Sequence, residues 1–214
     1  MIKANWTEAA EKRLGLLADF LDPLDLNPHF ITSLGVFVSL GGAIAFAQGY
    51  LFAGALLAIG GGVCDLFDGV IARRQGREST FGGLLDSVGD RIVDVSLLLG
   101  LCFHYGATDR HFWVFVSYVA LVGSVLVSYV KARGEVDVAG LGVGFLERGE
   151  RIGLLVLGGL FSIMPLALVL LALGSWFTVF QRMTLAYEKM EQLDSVQLQE
   201  QADQLVKIEE DTND

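Results

Sequence analysis

The chain has 214 residues, 53% of them hydrophobic against 19% charged, with 26 glycines, three prolines and a formal net charge of −10. Its apolar residues gather in uncharged runs at 30–64 (35 residues), 95–108 (14), 112–130 (19) and 152–181 (30), a pattern far from soluble averages. Because about 20 apolar residues cross the hydrocarbon core of a bilayer, this excludes an ordinary soluble enzyme and predicts an all-α integral membrane protein.

The first segment, residues 2–21, interleaves Trp6, Leu14, Leu17 and Phe20 with Lys3, Glu8, Lys12 and Asp19. It is too charged to span and lacks the features of a signal peptide, so it reads as an amphipathic helix lying along the interface. A linker with two prolines follows, and 1–29 forms the first unit. Six transmembrane helices are then expected at about 30–48, 51–73, 84–105, 111–131, 147–163 and 166–187. Turn signals at Gln48-Gly49 and near Met164-Pro165 divide the long runs. The residues from 188 to 214 form an acidic tail with nine acids and two lysines, a balance of −7, expected as a short surface helix or a mobile segment. With only −3 left elsewhere and no basic block interleaved with aromatics, nucleic acid is not an expected partner. Cys64 and Cys102 both fall in spans, where a disulfide framework is not expected.

Loop charge sets the orientation. An N-terminus in the cytoplasm puts Lys12, Arg13, Arg73, Arg74, Arg77, Lys131, Arg133, Arg148, Arg151, Arg182 and Lys189 on the cytoplasmic side and leaves Arg110 opposite. A multi-pass protein of the cell membrane with both ends inside satisfies the positive-inside rule.

The second and third spans carry residues that a membrane helix should not contain. Between Gly61 and Arg91 the chain reads GGVCDLFDGVIARRQGRESTFGGLLDSVGDR. Asp65, Asp68, Gly69 and Ala72 share one helical face at i, i+3, i+4 and i+7, and Gly82, Asp86 and Asp90 share another at i, i+4 and i+8. A short loop joins the two helices, so they are expected as antiparallel neighbours with these faces opposed at the cytoplasmic end. Carboxylates at membrane depth need a counter-charge, a wet cavity or a function. Four that face one volume repel unless cations neutralise them, and an all-oxygen set favours Mg²⁺ or Mn²⁺, with room for two ions clamping a phosphoryl group. Small residues on the same faces leave space for a bulky substrate, and Arg73 stands where it can meet phosphate. The competing readings are a cation or proton path in a transporter and structural pairing with arginine. Asp94, deeper and off the best arc, is expected to support packing.

The pattern Asp65-x2-Asp68-Gly69-x2-Ala72-Arg73-x8-Gly82-x3-Asp86-x3-Asp90, eight fixed residues over 26 positions, closely resembles the signature of the CDP-alcohol phosphatidyltransferase family. The resemblance covers roughly residues 5–187, hence a catalytic domain at 30–187. One departure is Pro28-His29-Phe30-Ile31-Thr32, where the family's entry element carries asparagine at the position of His29. The resemblance implies transfer of a phosphatidyl or archaetidyl group from a CDP-linked membrane lipid to an alcohol, with release of CMP. It implies Asp65, Asp68, Asp86 and Asp90 as ligands of two metal ions and Asp90 as the base. Gly69, Ala72, Arg73 and Gly82 would line the CDP site.

Acceptor choice should lie outside the shared motif. Lys131 and Arg133 end the fourth span, Arg148 and Arg151 begin the fifth, and Arg182 lies on the last; this concentration of cations suits an acceptor that already carries a phosphate. The flanking elements Ser128-Tyr129-x-Lys131-Ala132-Arg133-x-Glu135, Glu147-Arg148-x-Glu150-Arg151 and Thr178-x2-Gln181-Arg182 resemble the inositol-phosphate-using branch of the family. By that resemblance Lys131, Arg133, Arg148 and Arg182 hold the acceptor phosphate. Glycerol 3-phosphate obeys the same charge logic and is the alternative acceptor. Anchoring to anionic headgroups is the competing role for these cations, Lys131 and Arg151 above all. Small residues such as Gly100, Gly123 and Gly158-Gly159 leave a homodimer open.

Overall fold

The computed structural model describes residues 28–76 and 79–213, all helix and connecting turns with no strand among them. The expected interfacial helix at 2–21 lies outside the described residues, as does Arg77. Six helices follow in chain order: α1 Pro28–Ala47, α2 Leu51–Arg74, α3 Thr80–Ala107, α4 His111–Gly134, α5 Arg148–Leu160 and α6 Met164–Asn213. Four stretches are long and apolar enough to cross a membrane: Pro28–Ala47, Leu51–Arg73, His111–Gly134 and Met164–Gln199. The α3 helix is long enough but carries Asp86, Asp90, Arg91 and Asp94, while α5, with 13 residues, rises only about 20 Å against a hydrocarbon core of about 30 Å.

Both expected breaks are present. Gly49 turns the chain between α1 and α2 at φ 86°, a left-handed conformation that glycine adopts without steric cost. Ser162, at φ 57°, separates α5 from α6, and Pro165 occupies the first turn of α6, where its missing N–H leaves no intrahelical bond unmade. Two boundaries differ most from the sequence reading. The third helix starts at Thr80 rather than 84, because the Ser79 hydroxyl caps it by accepting from the Gly82 N–H at 3.0 Å. The last helix continues through the acidic tail to Asn213, since no glycine or proline follows Gly174 and the tail is rich in Glu, Gln and Leu, all strong helix formers.

The helices close into a ring. Around it, α1 packs on α2, α2 on α5, α5 on α6, α6 on α4, α4 on α3, and α3 returns to α1. The acidic faces of α2 and α3 oppose each other as the sequence reading expects, with carboxylate oxygens of Asp65, Asp86 and Asp90 within 4.8 Å of one another. Among the described residues each of the two helices packs chiefly on α1, which seats their acidic faces opposite each other. The apposition of α1 with α2 is close: a Cβ added at Gly35 would stand 2.9 Å from the Cys64 Cβ and 3.0 Å from the Gly61 carbonyl oxygen. Such small-residue crossings replace hydrophobic driving force in lipid with backbone proximity.

Apolar packing concentrates at one end of the ring, where Phe46, Leu97, Leu101, Tyr105, Ala120, Leu155, Leu168 and Leu171 form a continuous buried cluster. Large apolar side chains such as Phe37, Phe103, Phe115 and Phe180 point outward, as a lipid-facing surface requires. The opposite end, built from the start of α1, the end of α2 and the start of α3 together with the end of α4, the start of α5 and the middle of α6, contains Asp65, Asp68, Asp86, Asp90, Arg148 and Arg182. Cys64 and Cys102 are free thiols.

Candidate functional site

Carboxylate oxygens of Asp65 on α2 and of Asp86 and Asp90 on α3 lie within 4.8 Å of one another. Three of the four aspartates therefore converge as the helical periodicity predicts. Asp68 is one turn further along α2, and it lines an adjoining cavity with Asp65 and Asp86. Its Oδ2 is buried and has no hydrogen-bond partner among the described residues. An orphaned buried carboxylate oxygen beside a three-carboxylate cluster is costly unless a cation supplies the missing charge, and a donor set made only of oxygen suits a hard divalent ion. The residues present thus fit a divalent metal, with Asp65, Asp68, Asp86 and Asp90 as the available ligands.

Two cavities of about 320 Å³ each flank the cluster. The first lies between α1, α2 and α3 and is lined by His29, Thr32, Asp65, Asp68, Gly69, Ala72, Arg73, Gly82 and Asp86. All four residues expected around CDP are in this wall. A Cβ at Gly69 would meet no atom within 4 Å, so the glycine widens the cavity rather than permitting a helix contact. Ring contact between His29 and Phe81, with centroids 6.3 Å apart, ties the entry of α1 to the start of α3.

The second cavity lies between α3, α4, α5 and α6 and is lined by Asp90, Arg91, Ser128, Lys131, Glu147, Arg148, Arg151 and Arg182. Arg148 joins this cavity to the carboxylate cluster. Its guanidinium donates to Asp65 Oδ2 at 2.8 Å and pairs with Asp90 Oδ1 at 2.7 Å, so it bridges α2 and α3 from α5. Arg182, 3% exposed, donates from Nε to the Val143 carbonyl at 2.7 Å and from a terminal nitrogen to the Val127 carbonyl at 2.6 Å. It therefore holds the end of α4 and the 135–147 connection together at the cavity edge. Two more residues of α6 fasten the same connection: Thr178 accepts from the Leu146 N–H at 3.0 Å, and Lys189 donates to the Ala139 carbonyl at 2.6 Å. Arg133 is placed apart from the other expected acceptor residues, donating to Asp137 at 2.6 Å on an exposed surface outside the cavity lining.

The sequence reading missed the partner of Asp94. Arg151, offered there as a headgroup anchor, is instead 3% exposed and bonds Asp94 Oδ2 at 2.7 Å, with Ser124 donating to the same oxygen at 3.2 Å. Asp90 with Asp94 on α3 and Arg148 with Arg151 on α5 thus form two successive rungs between helices that are not ring neighbours. The i, i+4 and i, i+3 spacings of these pairs were the available signal.

Comparison with known proteins agrees with this geometry. Residues 26–185 match the family model described as CDP-alcohol phosphatidyltransferase. An archaetidylinositol phosphate synthase of Pyrococcus horikoshii is 37% identical over 173 residues, which span 80% of this chain and 89% of that protein. The fold superposes on the crystal structure of Mycobacterium tuberculosis phosphatidylinositol phosphate synthase with CDP-DAG bound at a TM-score of 0.73 and 33% identity, covering 81% of this chain and 93% of that one. For the same enzyme in complex with manganese and citrate the TM-score is 0.74, with 81% and 88% covered at 33% identity. Motif, ring of helices and family match lead to one conclusion: this chain belongs to the CDP-alcohol phosphatidyltransferase family and is an enzyme of phospholipid biosynthesis.

Proposed function

We propose that the protein transfers the phosphatidyl or archaetidyl group of a CDP-linked lipid to an inositol phosphate and releases CMP. The observation that carries this reading is the position of the carboxylate cluster, which stands between a small-residue cavity bearing Arg73 and a cationic cavity bearing Lys131, Arg148 and Arg182. A two-substrate transfer needs such a wall, with donor on one side, acceptor on the other and the reacting groups where the two meet.

In this reading Gly69, Ala72 and Gly82 admit the nucleotide to the first cavity, and Arg73 faces the diphosphate. Asp65, Asp68, Asp86 and Asp90 would hold two divalent ions, Mg²⁺ or Mn²⁺, which neutralise the diphosphate and make CMP a better leaving group. Lys131, Arg148 and Arg182 draw the acceptor phosphate into the second cavity, and Arg182 also keeps its rim in place. Asp90 is the one carboxylate of the four that lines the acceptor cavity, so it is the group placed to take the hydroxyl proton. The acceptor oxygen then bonds the lipid-bearing phosphorus, the bond from that phosphorus to the oxygen shared with CMP breaks, and CMP departs. Lipid tails remain in the bilayer beside the outward-facing apolar helices.

The same reading includes six spans, with α3 and the short α5 crossing as parts of the ring because their charges turn inward. In it the carboxylate end faces the cytoplasm, a placement supported by the arginine and lysine distribution. A homodimer is compatible with this arrangement.

The test supplies inositol 1-phosphate, glycerol 3-phosphate, serine and free inositol separately with labelled CDP-lipid to purified protein in nanodiscs, identifies the lipid by mass and repeats the reaction with chelator. Inositol 1-phosphate is expected to give the dominant product, and chelation to abolish CMP release. Preference for glycerol 3-phosphate would reassign the acceptor, while cation flux without CMP from any acceptor would overturn the enzymatic assignment.

A further inference from the structure

Arg148 stands between two sets of partners. Its guanidinium bonds Asp65 Oδ2 and Asp90 Oδ1, on the carboxylates that the proposed function gives to divalent cations. The same residue lines the cationic cavity assigned to the acceptor phosphate. Its bonding there is incomplete, because Nε is buried with no hydrogen-bond partner among the described residues. The neighbouring Arg151 has its own carboxylate in Asp94, so Arg148 is the arginine of α5 whose charge is shared with the cation ligands.

We propose that Arg148 is an exchangeable counter-cation: divalent binding at Asp65 and Asp90 displaces its guanidinium, which then takes the phosphate of the acceptor. This inference rests on the reading of the site given above and adds its regulation. Cation binding forfeits two charged hydrogen bonds, and a phosphate monoester in the second cavity replaces them. The cation therefore binds more tightly when the phosphate is present, and by linkage the phosphate binds more tightly when the cation is present. Acceptor phosphate thereby helps to assemble the metal centre at which it will react.

Attraction through space between cation and phosphate has the same sign, so a variant must separate the two effects. Arg148→Lys keeps the charge, but a single ammonium cannot reproduce the planar fork that spans two carboxylates. The experiment measures Mn²⁺ binding by electron paramagnetic resonance to the full chain in nanodiscs, alone and with inositol 1-phosphate, glycerol 3-phosphate or free inositol. Either phosphate is expected to tighten Mn²⁺ binding by about fivefold or more, the lower range of typical coupling, with free inositol inert. Arg148→Lys should bind Mn²⁺ more tightly than the parent without acceptor and should gain less from phosphate. Arg148→Gln removes the charge as well, so if it must replace the lysine variant the deciding measurement is a smaller gain from saturating phosphate, which attraction through space alone would leave in place. Mn²⁺ binding that ignores phosphate, or variants that match the parent in both measurements, would overturn the exchange while leaving the cation centre intact. Absence of Mn²⁺ binding to the parent would overturn the metal-centre reading itself.

Discussion

Asp94→Ala strands one of the most deeply buried charges in the molecule. Arg151 is 3% exposed and Asp94 5%, and they meet at 2.7 Å between α3 and α5. Removing the carboxylate leaves the guanidinium with weaker bonds to Ser128 Oγ and the Leu146 carbonyl, both at 3.4 Å, and deprives the Ser124 hydroxyl of its acceptor. Breaking a buried pair in this way costs about 3 to 5 kcal/mol, roughly two to three and a half orders of magnitude in the folding equilibrium. The pair is itself imperfect, because Asp94 Oδ1 and Arg151 Nε have no partners among the described residues. Replacing both members, as in Asp94→Ala with Arg151→Met, should therefore recover most of the loss, since desolvation of two incompletely satisfied charges disappears with their attraction. The assay is thermal or denaturant unfolding in detergent followed by tryptophan fluorescence, with Mn²⁺ binding measured on the folded fraction. Asp94→Ala should unfold far earlier than the parent, the double variant close to it, and both should retain Mn²⁺ binding. A single variant no less stable than the double one would refute the buried-pair argument, and selective loss of Mn²⁺ binding from folded Asp94→Ala would make Asp94 a cation ligand.

Two further outcomes test the reacting groups. Asp90→Asn, nearly equal in size but without the negative charge, should block transfer while retaining appreciable CDP-lipid binding; near-normal turnover across pH would remove Asp90 from the base role. Arg182→Gln should raise the acceptor KM far more than the CDP-lipid KM, by roughly 30-fold to 1000-fold, because loss of charged hydrogen bonds costs about 2 to 4 kcal/mol. Since Arg182 also bonds the Val127 and Val143 carbonyls, equal impairment of both substrates with early unfolding would assign it a purely structural part.

Local pattern was enough for the membrane class, the helix count among the described residues and the shared faces of Asp65, Asp86 and Asp90. Uncharged runs, turn residues and helical spacing act within a few residues of one another, so they can be read along the chain. The residues proposed for the acceptor required a longer reach. Lys131, Arg148 and Arg182 come from three helices, and nothing in their separation along the chain indicates that Arg148 reaches Asp65, whereas Arg133 and Asp137 pair at the local i, i+4 spacing. The reach of Arg148 to Asp65 follows from the ring order, which packs α2 on α5. The partner of Asp94 was hidden for the same reason: helical periodicity tells which side chains share a face, but only the approach of α3 and α5 across the ring decides which opposite charge that face meets. A single buried guanidinium can serve as headgroup anchor, phosphate ligand or ion-pair partner with the same local sequence, and the charges brought within hydrogen-bond distance by tertiary structure select among these roles.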